Sequence, residues 1–340
     1  MKKEKQLYSI ALAPTVLISF LILVLFSASA ATAQSAPLMI NETQIDNAGS
    51  ATYPDIYGDN VVWQENCSGN WNIYLYNFST SQKTQITTSG LAHKPKIYGD
   101  KIVWLDGRNE YYDIWHNRNY DIYMYNLSTQ NETRITTDGA SRFNPAIYED
   151  RIVWEEGQIE NGTYDTYMYE IYMYNLSTDE KTRITTSGLT SNPAIYGNRI
   201  IWRDYRNDND DIYMYDLSTH DETQITTSSL AYFPCIYNNT VAWQDYRNGN
   251  NIYIYDLSTQ NETWITNTNQ AFHPTIYGNR IVWEDYRNGN RDIYVYDLST
   301  HQEAHTIDES DQKHPAIYGN KIVWQDQRSG DWDIYVGTLV

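Results

Sequence analysis

A carboxylate stands two residues after each of seven tryptophans in this chain: Glu65, Asp106, Glu156, Asp204, Asp245, Asp285 and Asp326. In five of these places an arginine follows two residues further on, at Arg108, Arg206, Arg247, Arg287 and Arg328. Alternation along an extended strand puts tryptophan, acid and arginine on one face. One reading is a repeated Asp–Arg pair that locks neighbouring repeats together, and its recurrence favours this, since a catalytic site needs residues that occur once. The other is an acidic ring that binds a cation, a polyamine or several Ca²⁺ ions. Calcium takes about six to eight oxygens, and an arginine stands where a further ligand is needed. The expectation is therefore no metal and no cofactor, with Ca²⁺ kept as the one candidate.

Residues that do not repeat are more informative. From tryptophan to the isoleucine of the next strand takes 9 or 10 residues in five repeats, but 18 in the second (Trp104 to Ile122) and 17 in the third (Trp154 to Ile171). These two long hairpins carry Tyr111, Tyr112, Trp115, His116, Arg118 and Tyr120 in one, and Glu155, Glu156, Glu160 and Tyr164 in the other. Aromatics beside carboxylates suit stacking on sugar rings and bonding to their hydroxyls, and long loops on a rigid scaffold often hold function. The candidate ligand-binding set is Asp106, Arg108, Tyr111, Tyr112, Trp115, His116, Glu156 and Tyr164, with hairpins that merely pack on each other as the alternative. No nucleophile elbow, zinc spacing, phosphate loop or pair of catalytic acids occurs in the context it needs. No catalytic residue is assigned on this basis.

The scaffold behind these residues is repetitive. A tryptophan preceded by two aliphatic residues recurs at 63, 104, 154, 202, 243, 283 and 324, and seven prolines keep step at 54, 95, 145, 193, 234, 274 and 315. Each unit reads as four short strands, a to d, exemplified by P-T-I-Y-G-N-R, I-V-W-E-D-Y-R-N-G-N, R-D-I-Y-V-Y-D-L-S-T and E-T-Q-I-T-T. They are β-branched and aromatic, alternate with period two and are separated by Gly-Asn, Asn-Gly and Ser-Thr turns. Four strands in about 40 to 45 residues is the measure of a propeller blade. The predicted fold is an all-β, seven-bladed β-propeller of four-stranded antiparallel blades spanning 39–340. The seventh unit ends after strand c, and Asn41-Glu42-Thr43-Gln44-Ile45 copies the missing strand d. The N-terminal strand is expected to complete the last blade and close the ring, so that deleting residues 39–47 unzips it.

The units resemble TolB-type propeller repeats, in the I-Y-G-N-R-I-V-W-x-D-x-R-x-G-N-x-D-I-Y-x-Y-D-L-S-T variant of archaeal, mainly methanogen, cell-surface proteins. The resemblance covers about residues 39–340 and implies extracytoplasmic binding or scaffolding. It departs from the bacterial Tol-system protein in having no recognisable N-terminal domain before the blades and seven blades rather than six.

Residues 1–33 have the basic, apolar and small-residue order of an export signal, with cleavage near Ala33 or retention as an N-terminal anchor as the two outcomes. Either outcome makes the chain secreted or cell-surface, touching a membrane only through that anchor. No second apolar stretch or sorting-type C-terminus is seen. The formal charge of −19 argues against nucleic acid and anionic lipid as partners. Cys67 and Cys235 fall in blades 1 and 5, too far apart to bridge, and are read as free thiols. Nine sequons, at Asn41, Asn66, Asn77, Asn126, Asn131, Asn161, Asn175, Asn238 and Asn261, are candidate glycosylation sites; all but Asn66 and Asn161 fall on the face opposite the long hairpins. The function expected is a non-catalytic surface propeller that binds a glycan or a surface protein through the long-hairpin face. A carbohydrate-active enzyme (lyase or glycoside hydrolase) and a purely structural surface-layer module are the alternatives.

Overall fold

The alternating pattern of each repeat folds as antiparallel sheet. The computed structural model describes residues 37–109, 119–158 and 168–340. Its first blade runs from strand a, Ala51–Tyr57, through b, Asn60–Cys67, and c, Asn70–Asn77, to d, Gln82–Gln85, each pairing with the next. Seven four-stranded sheets of this kind make a seven-bladed β-propeller. Among the described residues no helix is long and apolar enough to cross a membrane.

The ring closes as the repeats require. Ile40–Gln44 lies antiparallel to Asp333–Leu339, with Ile40 opposite Leu339 and Gln44 opposite Tyr335, and supplies the fourth strand of the last blade. Closure explains why Gly337 stands where other blades carry the second tyrosine of Tyr-x-Tyr, such as Tyr215. A Cβ at Gly337 would collide with Ile40 Cγ2 and the Trp324 ring.

The core is distributed between blades. Val61 and Trp63 of blade 1 pack with Val323 and Val336 of blade 7, and Val62 and Ile73 pack with Ile102 and Trp104 of blade 2. All seven repeat tryptophans are fully buried. Each stacks on the first tyrosine of its strand c, with centroids 5.8 to 6.3 Å apart. Offset aromatic pairs of this kind add about 0.5–1.5 kcal/mol beyond their burial.

Strand a lines the central channel and is not a regular strand. In every blade its pairing with strand b slips at the residue before the proline and at the proline itself. The residue before the proline takes a φ of 47° to 54°, at Tyr53, Lys94, Asn144, Asn192, Phe233, His273 and His314. That left-handed conformation is costly for a side chain bearing a Cβ and runs against the extended preference of a pre-proline residue. Such a bulge re-aims a side chain, here into the channel. Seven tyrosines line its other end: Tyr57, Tyr98, Tyr148, Tyr196, Tyr237, Tyr277 and Tyr318. They form a closed ring in which each touches two neighbours at centroid distances of 4.6 to 4.8 Å.

Candidate functional site at the channel mouth

The repeated acids and arginines clamp strands b, c and d of one blade together. Asp106 is fully buried and accepts hydrogen bonds from Trp104 Nε1 (3.0 Å), Ser89 Oγ (2.9 Å) and Arg108 (2.6 Å). Arg108 also reaches Glu132 on strand d at 2.6 Å, and its guanidinium lies 4.3 Å from the Tyr123 ring centre. Burial pushes the Asp106 carboxyl up, but the Arg108 and Trp104 hydrogen bonds outweigh it and hold the pKa below the usual range. All seven acids accept a hydrogen bond from their tryptophan.

Blades 1 and 3 lack the arginine and solve the same problem differently. Lys83 and Lys181 occupy the strand d position where the other blades carry glutamate, and they bind Glu65 and Glu156 at 2.6 and 2.7 Å. Each ammonium sits 4.6 Å from the stacked tyrosine, Tyr74 or Tyr172. The longer Glu replaces Asp where the cation comes from strand d. Asp106, Arg108 and Glu156 are therefore members of the clamps. Among the described residues no group of three or more His, Cys, Asp or Glu side chains is placed to hold a metal ion.

Tyr111, Tyr112, Trp115, His116 and Tyr164, with the sequon at Asn161, lie outside the described residues, as do residues 1–33, where an export signal or anchor is expected. Of the other sequons, Asn41, Asn131, Asn238 and Asn261 are exposed. Asn77 and Asn126 instead cap the c–d turn, accepting from the amides of Thr80 and Thr129. Asp256 does the same for Thr259 in blade 5, so at these positions turn geometry accounts for the asparagine. Cys67 and Cys235 are both free thiols, and burial pushes Cys235 up to about 12.

The groups that do converge are the bulge residues. They rim a central cavity of about 680 Å³, within the size range of small-molecule sites, and neighbours differ in chemistry except for the Asn144–Asn192 and His273–His314 pairs. Tyr53 stacks on His314 with centroids 4.3 Å apart; His273 lies 6.0 Å from His314 and edge-on to Phe233 at 4.5 Å. On the other side Lys94 Nζ lies 5.9 Å from the Tyr53 ring centre and donates to Asn144 Oδ1 at 3.1 Å. Lys94 has no carboxylate within ion-pair distance among the described residues, and burial pulls its pKa below the ordinary lysine value.

In five blades the residue after the repeat tryptophan supports this collar from behind. Gln325, Gln64, Glu155, Gln244 and Glu284 accept hydrogen bonds from the bulge amides of Tyr53, Lys94, Asn192, His273 and His314 in the following blade. These bonds answer the strained backbone that aims the side chains inward. Glu284 also holds His273 Nδ1 at 3.3 Å and Arg291 at 3.1 Å. Burial raises the Glu284 pKa, yet the bonds and charges of the two histidines leave it below the usual value. Burial lowers His314 to about 4, so its imidazole is neutral at neutral pH, and neither ring nitrogen has a hydrogen-bond partner among the described residues. Glu155, bonded to Asn144 Nδ2 at 2.7 Å, is raised by its burial. The sequence holds the signal for this collar, five residue types at seven positions before seven identical prolines, but proline reads as a strand punctuator until the bulge is seen.

Fold and site together define a closed seven-bladed propeller whose channel is ringed at one end by identical tyrosines and rimmed at the other by unlike polar groups. No protein-family model and no curated protein matches the chain. Among solved structures it is similar to an oligogalacturonate lyase in complex with manganese, at 14% identity and a TM-score of 0.69 over 90% of this chain and 97% of that one. The propeller domain of the Trilobed protease from Pyrococcus furiosus, described as having an open velcro topology, is similar at 12% identity and a TM-score of 0.68, over 85% and 92%. A TolB structure from Acinetobacter baumannii matches at 15% identity and a TM-score of 0.49, over 89% and 80%. At these identities the likeness establishes the fold. The expectation of a non-catalytic binding propeller is corrected to this extent: lyases and peptidases are among the matched structures, which agrees better with the enzyme alternative.

Proposed function

We propose that the chain is a carbohydrate-active lyase that cleaves a uronate-containing glycan by β-elimination at the channel mouth. The observation that carries this reading is the run Lys94, Tyr53, His314, His273. It places an unpaired ammonium, a phenol and two imidazoles side by side at positions that otherwise repeat through the ring. The oligogalacturonate lyase among the solved neighbours supports the same substrate class.

Elimination breaks the C5–H and C4–O bonds of a uronate and leaves a C4=C5 double bond. Lys94 pairs with the sugar carboxylate and so acidifies the C5 proton. His273, oriented by Glu284, takes that proton as general base. Tyr53 gives its phenolic proton to the departing glycosidic oxygen and is reprotonated from the imidazolium. Neutral His314 holds Tyr53 by stacking and offers a free ring nitrogen to a sugar hydroxyl. The lyase neighbour is described with manganese, but the donor set here does not fit one: Glu284 is committed to His273, Arg291 and the His314 amide, and among the described residues no third donor joins the histidines. No step is routed through a metal.

We place the activity outside the cytoplasm, in keeping with the export-like order of residues 1–33, and read the exposed Asn41, Asn131, Asn238 and Asn261 as the glycan acceptors. The test is to incubate the full chain with polygalacturonate and alginate while following the ultraviolet absorbance of the new double bond. Absorbance rising with chain scission supports elimination. New reducing ends without absorbance indicate hydrolysis instead, and no scission of either polymer overturns the enzyme reading for these substrates.

A further inference from the structure

Tyr205, Tyr246 and Tyr286 stand at one equivalent position in blades 4, 5 and 6, directly after the clamp aspartate, and are 42%, 41% and 45% exposed. The other four blades carry Asn66, Gly107, Gly157 and Gln327 there. The position begins the b–c loop, on the same end of the ring as the bulge residues. Three neighbouring blades thus present an aromatic arc beside the channel mouth.

The arc is rigid where it needs to be and free where a ligand binds. Each tyrosine amide donates to a d–a loop carbonyl, of Leu189, Leu230 or Gln270, at 3.0 to 3.1 Å. On the other side the amides of Arg206, Arg247 and Arg287 donate to the clamp aspartates at 2.9 to 3.0 Å. The backbone is therefore fixed from both sides, while no hydroxyl of the three has a hydrogen-bond partner among the described residues. Tyr246 meets Tyr232 edge-on at 5.0 Å, and Tyr232 adjoins Phe233 of the collar, which makes the arc continuous with the mouth. Exposed rings on a fixed backbone bind at low entropic cost. A phenol offers a flat apolar face to the C–H side of a sugar and a hydroxyl to its edge.

We infer that Tyr205, Tyr246 and Tyr286 form a row of subsites for the sugar units of an acidic glycan that extends outward from the channel mouth. This rests on the lyase reading and adds to it that the enzyme prefers polymer to dimer. The repeating geometry of the blades supplies the repeat of the subsites.

The experiment compares the full-length chain with its Tyr205→Ala/Tyr246→Ala/Tyr286→Ala variant on uronate oligomers of two to eight units, by cleavage and by calorimetric binding. The expected result is a KM that falls about 10-fold with length in the parent and stays flat in the variant, with equal kcat on the shortest oligomer cleaved. Length dependence retained in the variant overturns the subsites while the lyase reading stands. Where the parent cleaves nothing, the lyase reading fails and binding decides the arc: octamer binding lost in the variant upholds it, and equal or absent binding overturns it. A concentration-dependent dimer that disappears in the variant assigns the arc to a second copy of the chain and also overturns the proposal.

Discussion

The ring of Tyr53 in the first blade stacks on that of His314 in the seventh, 4.3 Å between centroids. The contact spans the seam at which Ile40–Gln44 closes the propeller, so ring closure and assembly of the mouth are one event. Gly337→Ala presses a methyl group between Ile40 and Trp324 at that seam and is expected to cost about 1–3 kcal/mol in urea unfolding. Ile40→Ala in the same chain should recover part of that loss. If the double variant is no more stable than Gly337→Ala alone, the account of closure is wrong.

His314 gives the mouth a signature in acid. Its folded pKa is about 4, against an unfolded value of 6.5. Below 6.5 the unfolded chain binds a proton that the folded chain refuses, so stability is full above 6.5 and falls as the pH drops toward 4. Glu284, His273, Lys96 and Lys313 are the charged groups that act on it. Replacing His314 with phenylalanine keeps the stack on Tyr53 and removes the titration. Thermal melts between pH 7 and 4 should show a smaller decline in Tm for this variant than for the parent, and parallel declines would count against a buried, neutral imidazole.

Arg108 separates clamp from site. Removing it leaves Asp106 buried with no cation and Glu132 without its partner, so Arg108→Met is expected to lower stability by about 3 kcal/mol. Turnover per folded molecule should stay at the parental value. A variant that melts normally but loses activity would return Arg108 to the ligand-binding role first read from its spacing.

What the sequence shows and hides follows from the repetition itself. Seven Trp-acid copies announce the blades, and the Asn41–Ile45 copy of strand d announces the closure, because identical backbone roles select similar residues. The site is hidden for the converse reason. Tyr53, Lys94, Asn144, Asn192, Phe233, His273 and His314 share a backbone role but no common chemistry across the set, and only the bulge, with its positive φ, shows that they face one another. The long hairpins stand out in the sequence instead, but Tyr111, Tyr112, Trp115, His116 and Tyr164 on them lie outside the described residues. The exchange of Arg and Glu for Lys83 or Lys181 in blades 1 and 3 was legible as a covarying pattern, but its meaning depends on knowing that strands b and d of one blade share the tyrosine between them.

Lys94 is the sharpest test of the mouth. It is the collar's one lysine, it sits beside Tyr53 without a carboxylate partner, and burial already disfavours its charge. A uronate carboxylate would favour that charge, so binding and activation come from the same contact. Lys94→Gln keeps a donor and most of the volume but loses the charge, and kcat/KM is expected to fall about 100-fold, equivalent to about 2.7 kcal/mol of transition-state stabilisation. Lys94→Arg should keep part of it, since a guanidinium also pairs with carboxylate. The folded variants must melt near the parental temperature, because an unpaired lysine contributes no ion pair to lose. Should Lys94→Gln cleave uronates at the parental rate, the ammonium has no part in the chemistry, and the base and acid would have to be sought at another wall of the channel.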